Sequence, residues 1–265
     1  GAPSENQVYA DVDGNIGYKP VGRFPKRDNW DGLMPVPGDG TYEWDGYFDM
    51  DVLPEEYNPA RGFTGTANAL SLPKDYPIAK YKVGFEWSAP WRYKRLWEYL
   101  QASNTHSMED SLALQRDYLS VLARNVLALL PDLATSNPET GGPLLASWDH
   151  RLKADSAAAA LWNVWYYRHL SPTLGRLVLD RKKSPQSNLS TQQTLKMLAT
   201  PQGKSIAIKT LQSAWQDTVE KLGPDSDVWQ WGHLHKIALQ HPLLHLANPE
   251  SVSYTHLRAH ETTLD

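Results

Sequence analysis

The chain has 265 residues, of which 41% are hydrophobic, so it is long and apolar enough to bury a sizeable core. Its 26 basic and 30 acidic residues give a formal net charge of −4, and because no basic run is long enough to follow a phosphate backbone, we expect no nucleic-acid partner. The absence of cysteine excludes disulfides, zinc–thiolate sites and thiol nucleophiles, and since no apolar run reaches the roughly 20 residues of a membrane helix, we expect no membrane association.

Two strands are predicted near the beginning of the chain. Residues 6–22 alternate between polar and apolar side chains on either side of Asp13-Gly14, a dipeptide typical of hairpin turns. Residues 23–60 are instead interrupted by prolines, each of which lacks a backbone donor. These are Pro25, Pro35, Pro37, Pro54 and Pro59. We therefore expect a long ordered loop, rather than sheet, after the hairpin.

Residues 61–68, RGFTGTAN, place a single amide side chain among small neighbours. Phe63, Thr64 and Thr66, with small residues among them, predict a further strand that ends at Asn68. Gly62, Gly65 and Ala67 leave room for another group to approach that amide. Two interpretations of Asn68 are open: it contacts a ligand, or it caps a turn, as asparagine commonly does.

A helical pattern begins near residue 91 and dominates the rest of the chain. Apolar residues fall on one face of a predicted helix that extends from Met108 to Leu129, with Ser107 as its N-cap and Pro131 at its end. Three more helices are predicted: one in ADSAAAALWNVWYYRHL, one that begins at a Ser190/Gln193 capping box, and one with an apolar stripe that ends at Gly223-Pro224.

These patterns divide the chain into three parts. Residues 1–90 are rich in strands and loops, and residues 91–251 are a mostly helical part of the same domain. Residues 252–262 resemble a translated sequencing adapter, so we interpret residues 252–265 as a non-biological tail and exclude them from the fold. The chain also begins within a predicted strand, without Met or a leader, which indicates the interior of a larger protein.

Three further patterns allow other functions. His233, His235 and His241 could form a metal cluster, but no carboxylate lies beside them to complete it, which favours a structural role. The carboxylates between Glu43 and Glu56 suit a glycosidase, but a carboxylate-rich loop is more typical of a solvated surface. The 11 Trp and 13 Tyr residues suit ordinary cores and also sugar-stacking surfaces. A non-catalytic carbohydrate- or cell-wall-binding module is therefore the alternative function.

Six blocks of sequence, taken in order, resemble the penicillin acylase family of N-terminal nucleophile hydrolases. They are YADVDGNIGY, PVPGDGTYEWDGY, YNPARGFTGTAN, KDYP, WRYKRLWEYL and WQWGHLHKIALQHPL. The resemblance extends through residues 3–246. It implies an α+β fold, in which part of a four-layered αββα sandwich is followed by a helical region. It also implies that the chain is an internal fragment of the β chain of a precursor that is exported and cuts itself.

The resemblance further implies an enzyme that hydrolyses the amide between an acyl group and an amine, as in a β-lactam side chain, an acyl-homoserine lactone or a lipopeptide. In the family, the nucleophile is the serine that begins the β chain, and its own α-amine acts as the base. That serine would lie upstream of this chain, so the fragment alone is expected to be inactive. The α chain of the same precursor would be its partner, and the location would be periplasmic or secreted.

Three residues match functional positions of the family. Asn68 matches an asparagine that donates a hydrogen bond into the oxyanion hole. Arg92 matches an arginine near the amine of the nucleophile, and Arg95 is the alternative match. Glu5 falls where family members have a pocket residue that contacts the acyl group. A carboxylate at that place would disfavour a purely apolar acyl chain, because burial of an unpaired charge is costly.

No cofactor is expected. Some family members bind a structural calcium through carboxylates, one of which lies shortly after the KDYP block, and Lys80 occupies the matching position here. Because a lysine cannot coordinate a hard cation, either Asp75 replaces that ligand or the protein lacks it.

Overall fold

A computed structural model describes residues 4–179, 189–239 and 255–258 of the chain. The chain divides into two compact units, Gly1–Ser111 and Leu112–Asp265. The strands are β1 (Glu5–Ala10), β2 (Ile16–Val21), β3 (Glu56–Tyr57), β4 (Lys236–Leu239) and β5 (Thr255–Arg258). The α-helices are α1 (Trp91–Gln101), α2 (Met108–Gln115), α3 (Val121–Ala128), α4 (Gly142–Ala146), α5 (Ala157–Asn163), α6 (Ser171–Val178), α7 (Thr191–Leu198), α8 (Pro201–Leu222) and α9 (Trp231–Leu234). A π-helix spans Val164–Leu170, and 3-10 helices span Met50–Val52, Pro131–Thr135, Pro138–Thr140 and Ser226–Val228.

The predicted hairpin is confirmed. Strands β1 and β2 pair antiparallel, from Glu5 opposite Val21 to Ala10 opposite Ile16. The connecting turn is organised by Asp11, whose carboxylate accepts the backbone N–H groups of Asp13 and Asn15. The β1 strand is exposed, whereas β2 buries Tyr18. Among the described residues, no helix has the length and hydrophobicity needed to cross a membrane.

The long loop between residues 23 and 60 is largely irregular, as the prolines predict. It departs from irregular structure at an isolated bridge between Pro25 and Tyr47, at the 3-10 helix Met50–Val52 and at β3, which adds two residues to the edge of β2. The strand predicted over residues 61–68 is wrong. Gly62 and Asn68 have φ angles of +76° and +59°, which no strand accommodates, and the segment packs against α1 instead of a neighbouring strand.

The single helix predicted between Met108 and Leu129 is also wrong, because α2 and α3 are separate. The Ser107 cap is confirmed, since its hydroxyl accepts the N–H of Asp110. The interruption follows from residues on a distant segment: Asp117 forms an ion pair with Arg151 at 2.8 Å, and the N–H of Ser120 donates to the carbonyl of His150. These contacts replace the hydrogen bonds that a continuous helix would form between α2 and α3. The spacing of apolar residues gives no sign of them.

The remaining predicted helices are confirmed. Residues 157–178 form a continuous helical stretch, with the π-helix between α5 and α6. The Ser190/Gln193 capping box begins α7, and α8 ends before Gly223. The unit Leu112–Asp265 has an aromatic core, in which four side chains are almost fully buried: Trp162, Trp165, Tyr166 and Trp229. Burial raises the pKa of Tyr166 to about 12.

Strand β5 lies inside the segment interpreted as a non-biological tail. It pairs antiparallel with β4, with Lys236 opposite Arg258. Residues 255–258, which the sequence analysis left out of the fold, are therefore part of a strand pair, and residues 252–254 and 259–265 lie outside the described residues. The origin of that tail in a sequencing adapter stays a prediction, as does the boundary between residues 90 and 91, although helical structure does begin at Trp91.

We predict that Asp217→Asn lowers the free energy of unfolding of the unit Leu112–Asp265 by about 1 kcal/mol at neutral pH. Asp217 accepts from Lys221 at 2.6 Å and from His169 at 3.1 Å. Burial raises the pKa of Asp217, but these hydrogen bonds and charges outweigh it and hold the pKa below its ordinary 3.8. The contribution should therefore be present above about pH 4 and be lost as the pH falls through the lowered pKa.

Urea unfolding at pH 7 and pH 3, followed by circular dichroism, measures this effect. The exposed Asp132 provides the matched control, and Asp132→Asn should leave the urea midpoint unchanged at both values. A difference between wild type and Asp217→Asn that persists undiminished at pH 3 would contradict the ionic explanation.

Candidate functional site

The structure brings Asn68 and Arg92 together, although they are 24 residues apart in sequence. A guanidinium N–H of Arg92 donates to the Oδ1 atom of Asn68 at 2.9 Å. Arg92 lies in the first turn of α1, and the backbone carbonyl of Asn68 accepts the N–H of Ser88 at 2.9 Å. Both side chains are exposed, so the pair is accessible from outside the unit.

The contact with Arg92 fixes the orientation of the Asn68 amide. An arginine side chain has only donors, so it can engage the oxygen of the amide and not its nitrogen. The NH2 group of Asn68 is therefore the end of the amide that Arg92 leaves for other acceptors. The backbone of Asn68 has a positive φ of +59°, in the left-handed region, which asparagine tolerates better than most residues.

The close approach of α1 explains the glycine at position 65. A Cβ atom added to Gly65 would lie 2.8 Å from the Cδ2 atom of Leu96 on that helix. Phe63, two residues earlier, packs edge-on against Trp97 with ring centroids 5.0 Å apart. The segment from residue 61 to residue 68 thus lies along α1, and larger side chains would push it away.

A cavity of about 370 Å³ lies beside Asn68. Its wall includes Glu5 at the start of β1, the buried Tyr18 on β2, Leu72, Glu86 and Trp87. Glu5 and Asn68 thus line the same cavity, and the role of Glu5 stays a prediction. The wall mixes apolar and polar groups, and it can hold a ligand that has both a hydrocarbon part and hydrogen-bonding atoms.

Several contacts brace the segment that carries Asn68. Tyr18 donates its hydroxyl to the carbonyl of Ser71 at 2.5 Å, and burial raises the pKa of Tyr18 above its ordinary value. Arg61 forms an ion pair with Glu56, which also accepts the hydroxyl of Thr64 at 3.0 Å. Sequence reasoning missed Glu56 and Arg61. Their opposite charges five positions apart were a signal, but nothing local indicated what they brace.

The alternative arginine has a different environment. Arg95 lies 3.6 Å from Glu98 and over the ring of Tyr99, with its guanidinium carbon 5.8 Å from the centroid. The contact with Asn68 is made by Arg92. The roles of Arg92 and Arg95 in a reaction stay predictions.

The other candidate residues do not gather into a site within the described part of the chain. No group of three or more His, Asp or Glu there could hold a metal ion. The ring of His235 stacks on Trp231 at 4.7 Å, and His241 lies outside the described residues. The amine of Lys80 lies over the ring of Tyr81, 4.8 Å from its centroid. Carboxylates of the loop are exposed, including Glu43, Asp45, Asp49, Asp51 and Glu55.

We predict that Gly65→Val lowers the free energy of unfolding by about 1 to 3 kcal/mol, because the added methyl groups would overlap Leu96. A second substitution, Leu96→Ala, should recover part of this loss when combined with Gly65→Val. Chemical denaturation of the single and double variants gives the coupling. Gly38→Val is the control, since nothing lies within 4 Å of a Cβ atom there. Additive effects of Gly65→Val and Leu96→Ala would contradict the proposed contact.

Comparisons with known proteins place the chain in a family. A model of the family described as Penicillin amidase matches residues 1–262. Among curated relatives, an acyl-homoserine lactone acylase QuiP of Pseudomonas fluorescens (strain Pf0-1) is 30% identical over 273 residues, which cover 87% of this chain and 32% of the relative. A penicillin acylase 2 proenzyme of Pseudomonas sp. (strain SE83) is 32% identical over 169 residues, which cover 62% of this chain and 21% of that protein.

A solved structure has a similar fold. The thermostable penicillin G acylase from Alcaligenes faecalis matches with a TM-score of 0.60 and 23% sequence identity, over 86% of this chain and 49% of that chain. The fold described above is therefore similar to part of that acylase. The chain spans about a third of the length of the first curated relatives that it matches.

Proposed function

Since the chain belongs to the penicillin amidase family, we propose that it is part of an enzyme that hydrolyses the amide bond between an acyl group and an amine. The observation that carries this proposal is the Arg92–Asn68 hydrogen bond beside the cavity. It turns an asparagine into a fixed donor at a place where a bound amide could present its carbonyl. An amidohydrolase requires such a donor, because negative charge develops on that oxygen during attack.

In the proposed reaction, the NH2 group of Asn68 donates to the oxygen of the tetrahedral intermediate. A donor held in place before the reaction costs no reorganisation when the charge develops, which is why such donors contribute strongly to rate. Arg92 holds the amide from the opposite end. Its permanent positive charge would also favour the neutral, basic form of an amine nearby, since like charges lower the pKa of an amine.

The nucleophile of the proposed enzyme is a serine at the start of the mature β chain, with its α-amine as the base. We propose that it is supplied by a part of the precursor outside this chain, which spans about a third of its curated relatives. The α chain of the same precursor would be the partner, and the assembled protein would be exported. The complete enzyme would have the four-layered αββα sandwich, and the isolated 265-residue chain would be inactive.

The substrate is proposed to be an N-acyl compound. Relatives named as acyl-homoserine lactone acylases and penicillin acylases both fit this class. Glu5 would contact the acyl group at the cavity, where its carboxylate would favour an acyl chain that carries a hydrogen-bond donor over a purely apolar one.

The alternative of a carbohydrate-binding module has no comparable support. Such a module would present a row of exposed tryptophans and would leave Asn68 and Arg92 apart. Among the described residues, the large exposed tryptophans are Trp44 and Trp87, whereas Trp162, Trp165 and Trp229 are core residues. The matched relatives are named as acylases.

We predict that Asn68→Ala in the full-length enzyme lowers kcat by about 10² to 10³-fold, because one oxyanion donor is worth about 2.7–4 kcal/mol. The measurement uses chromogenic phenylacetyl and fatty-acyl amides, after the contiguous reading frame has been expressed whole. N-terminal sequencing of the mature large chain should find serine in both wild type and variant, so that the loss is separated from failed processing.

Asn29→Ala is the matched control, because the amide of Asn29 donates to the carbonyl of Thr41 in an exposed loop. It should retain wild-type kcat. A precursor that is never cut and that carries no serine a domain's length upstream would overturn the proposed function. A processed enzyme with full activity after Asn68→Ala would overturn only the role of Asn68.

A further inference from the structure

We propose that Arg61 is a positioning residue. It keeps Asn68 within hydrogen-bond distance of Arg92, because it holds residues 61–68 against α1. This inference rests on the proposed function, because it concerns the donor of that same site. Arg61 would touch neither substrate nor reacting atoms. It would act through two partners, Glu56 on β3 and Trp97 on α1.

The first partner anchors Arg61 to the sheet. The guanidinium of Arg61 forms an ion pair with the carboxylate of Glu56, and both side chains are about three-quarters buried, with 27% and 25% of their surface exposed. Glu56 lies on β3, which pairs with β2. Thr64 donates to the same carboxylate oxygen at 3.0 Å, so Glu56 holds the segment at two points.

The second partner anchors Arg61 to the helix. Its guanidinium carbon lies 4.3 Å from the ring centroid of Trp97, well inside the distance at which a cation is attracted to an aromatic face. It lies 5.7 Å from the ring of Phe63, which in turn packs on Trp97. A flat guanidinium can lie on a ring face and pair with a carboxylate at once, whereas the ammonium of a lysine is a point charge.

Three contacts then follow α1 in order. Arg92 in the first turn meets Asn68, Leu96 in the second turn meets Gly65, and Trp97 meets Arg61. The first contact is a single hydrogen bond between exposed side chains, whereas Arg61 in the last contact is about three-quarters buried and has two partners. Residues 61–68 form no backbone hydrogen-bond ladder with a strand, so their distance from α1 depends on the contacts of Arg61. Loosening Arg61 should therefore displace Asn68 relative to Arg92.

The test compares full-length precursor enzymes that carry Arg61→Lys, Arg61→Met and the double change Glu56→Gln/Arg61→Met. Arg61→Met should lower kcat on the order of 10-fold and change KM less than about twofold, because a displaced donor affects the transition state more than the bound substrate. Arg61→Lys should fall between wild type and Arg61→Met. The double variant removes the negative charge that Arg61→Met leaves without a cationic partner, so it should recover thermal stability without recovering kcat.

Arg23 supplies the matched control, because its guanidinium also lies over a ring, 5.4 Å from the centroid of Tyr47, outside the 61–68 segment. Arg23→Met should leave kcat unchanged. If kcat recovers in parallel with stability in the double variant, Arg61 has a merely structural role and the proposal is overturned.

A crystal structure of Arg61→Met provides a readout that does not depend on activity. The Arg92–Asn68 contact, 2.9 Å in the present structure, should open beyond the about 3.5 Å limit of a hydrogen bond, or Asn68 should occupy more than one conformation. An unchanged contact would overturn the positioning role even if the whole enzyme hydrolyses amides. An opened contact in an enzyme that hydrolyses no acyl amide would support the positioning role and overturn the proposed function.

Discussion

The packing of residues 61–68 along α1 is the constraint on which the candidate site depends. The segment has no ladder of backbone hydrogen bonds to a neighbouring strand, and its path is set by contacts between side chains and the helix. Gly65 permits the approach because a Cβ atom there would lie 2.8 Å from Leu96. Asn68 and Arg92 can meet at 2.9 Å only because this approach is close. Small residues here serve the position of a polar group.

The conformation of Asn68 illustrates how a strained position is kept. A left-handed φ of +59° costs a non-glycine residue about 1 kcal/mol, although asparagine tolerates it better than most. Two hydrogen bonds offset that cost, since Ser88 donates to the backbone carbonyl and Arg92 donates to the side chain. Both ends of the residue are thereby fixed. The amide then has a single favoured direction for its remaining donor, which is the property that an oxyanion site needs.

Sequence patterns correctly predicted the elements that depend on residues close together in the chain. The β1–β2 hairpin follows from alternation and a turn, and α7 follows from its Ser190/Gln193 box. The errors arose where distant residues decide. The break between α2 and α3 depends on Arg151, which pairs with Asp117 from 34 residues away. The small neighbours of Asn68 singled it out, whereas its role and the choice of Arg92 came from the family positions. The spacing of the two residues does not predict their hydrogen bond, which depends on the path of the intervening loop.

The exposed contact of Arg92 and the more buried contact of Arg61 differ along α1 for a physical reason. A donor that must face a substrate has to be exposed, and an exposed hydrogen bond is weak because water competes for both partners. Rigidity must therefore come from elsewhere in the same segment. In this unit it comes from the opposite end, where Arg61, Glu56 and Trp97 are mostly shielded from water and where charge and ring attract each other more strongly. The exposed pair can then be accessible and still well placed, since the covalent chain carries the constraint from Arg61 through Gly65 to Asn68.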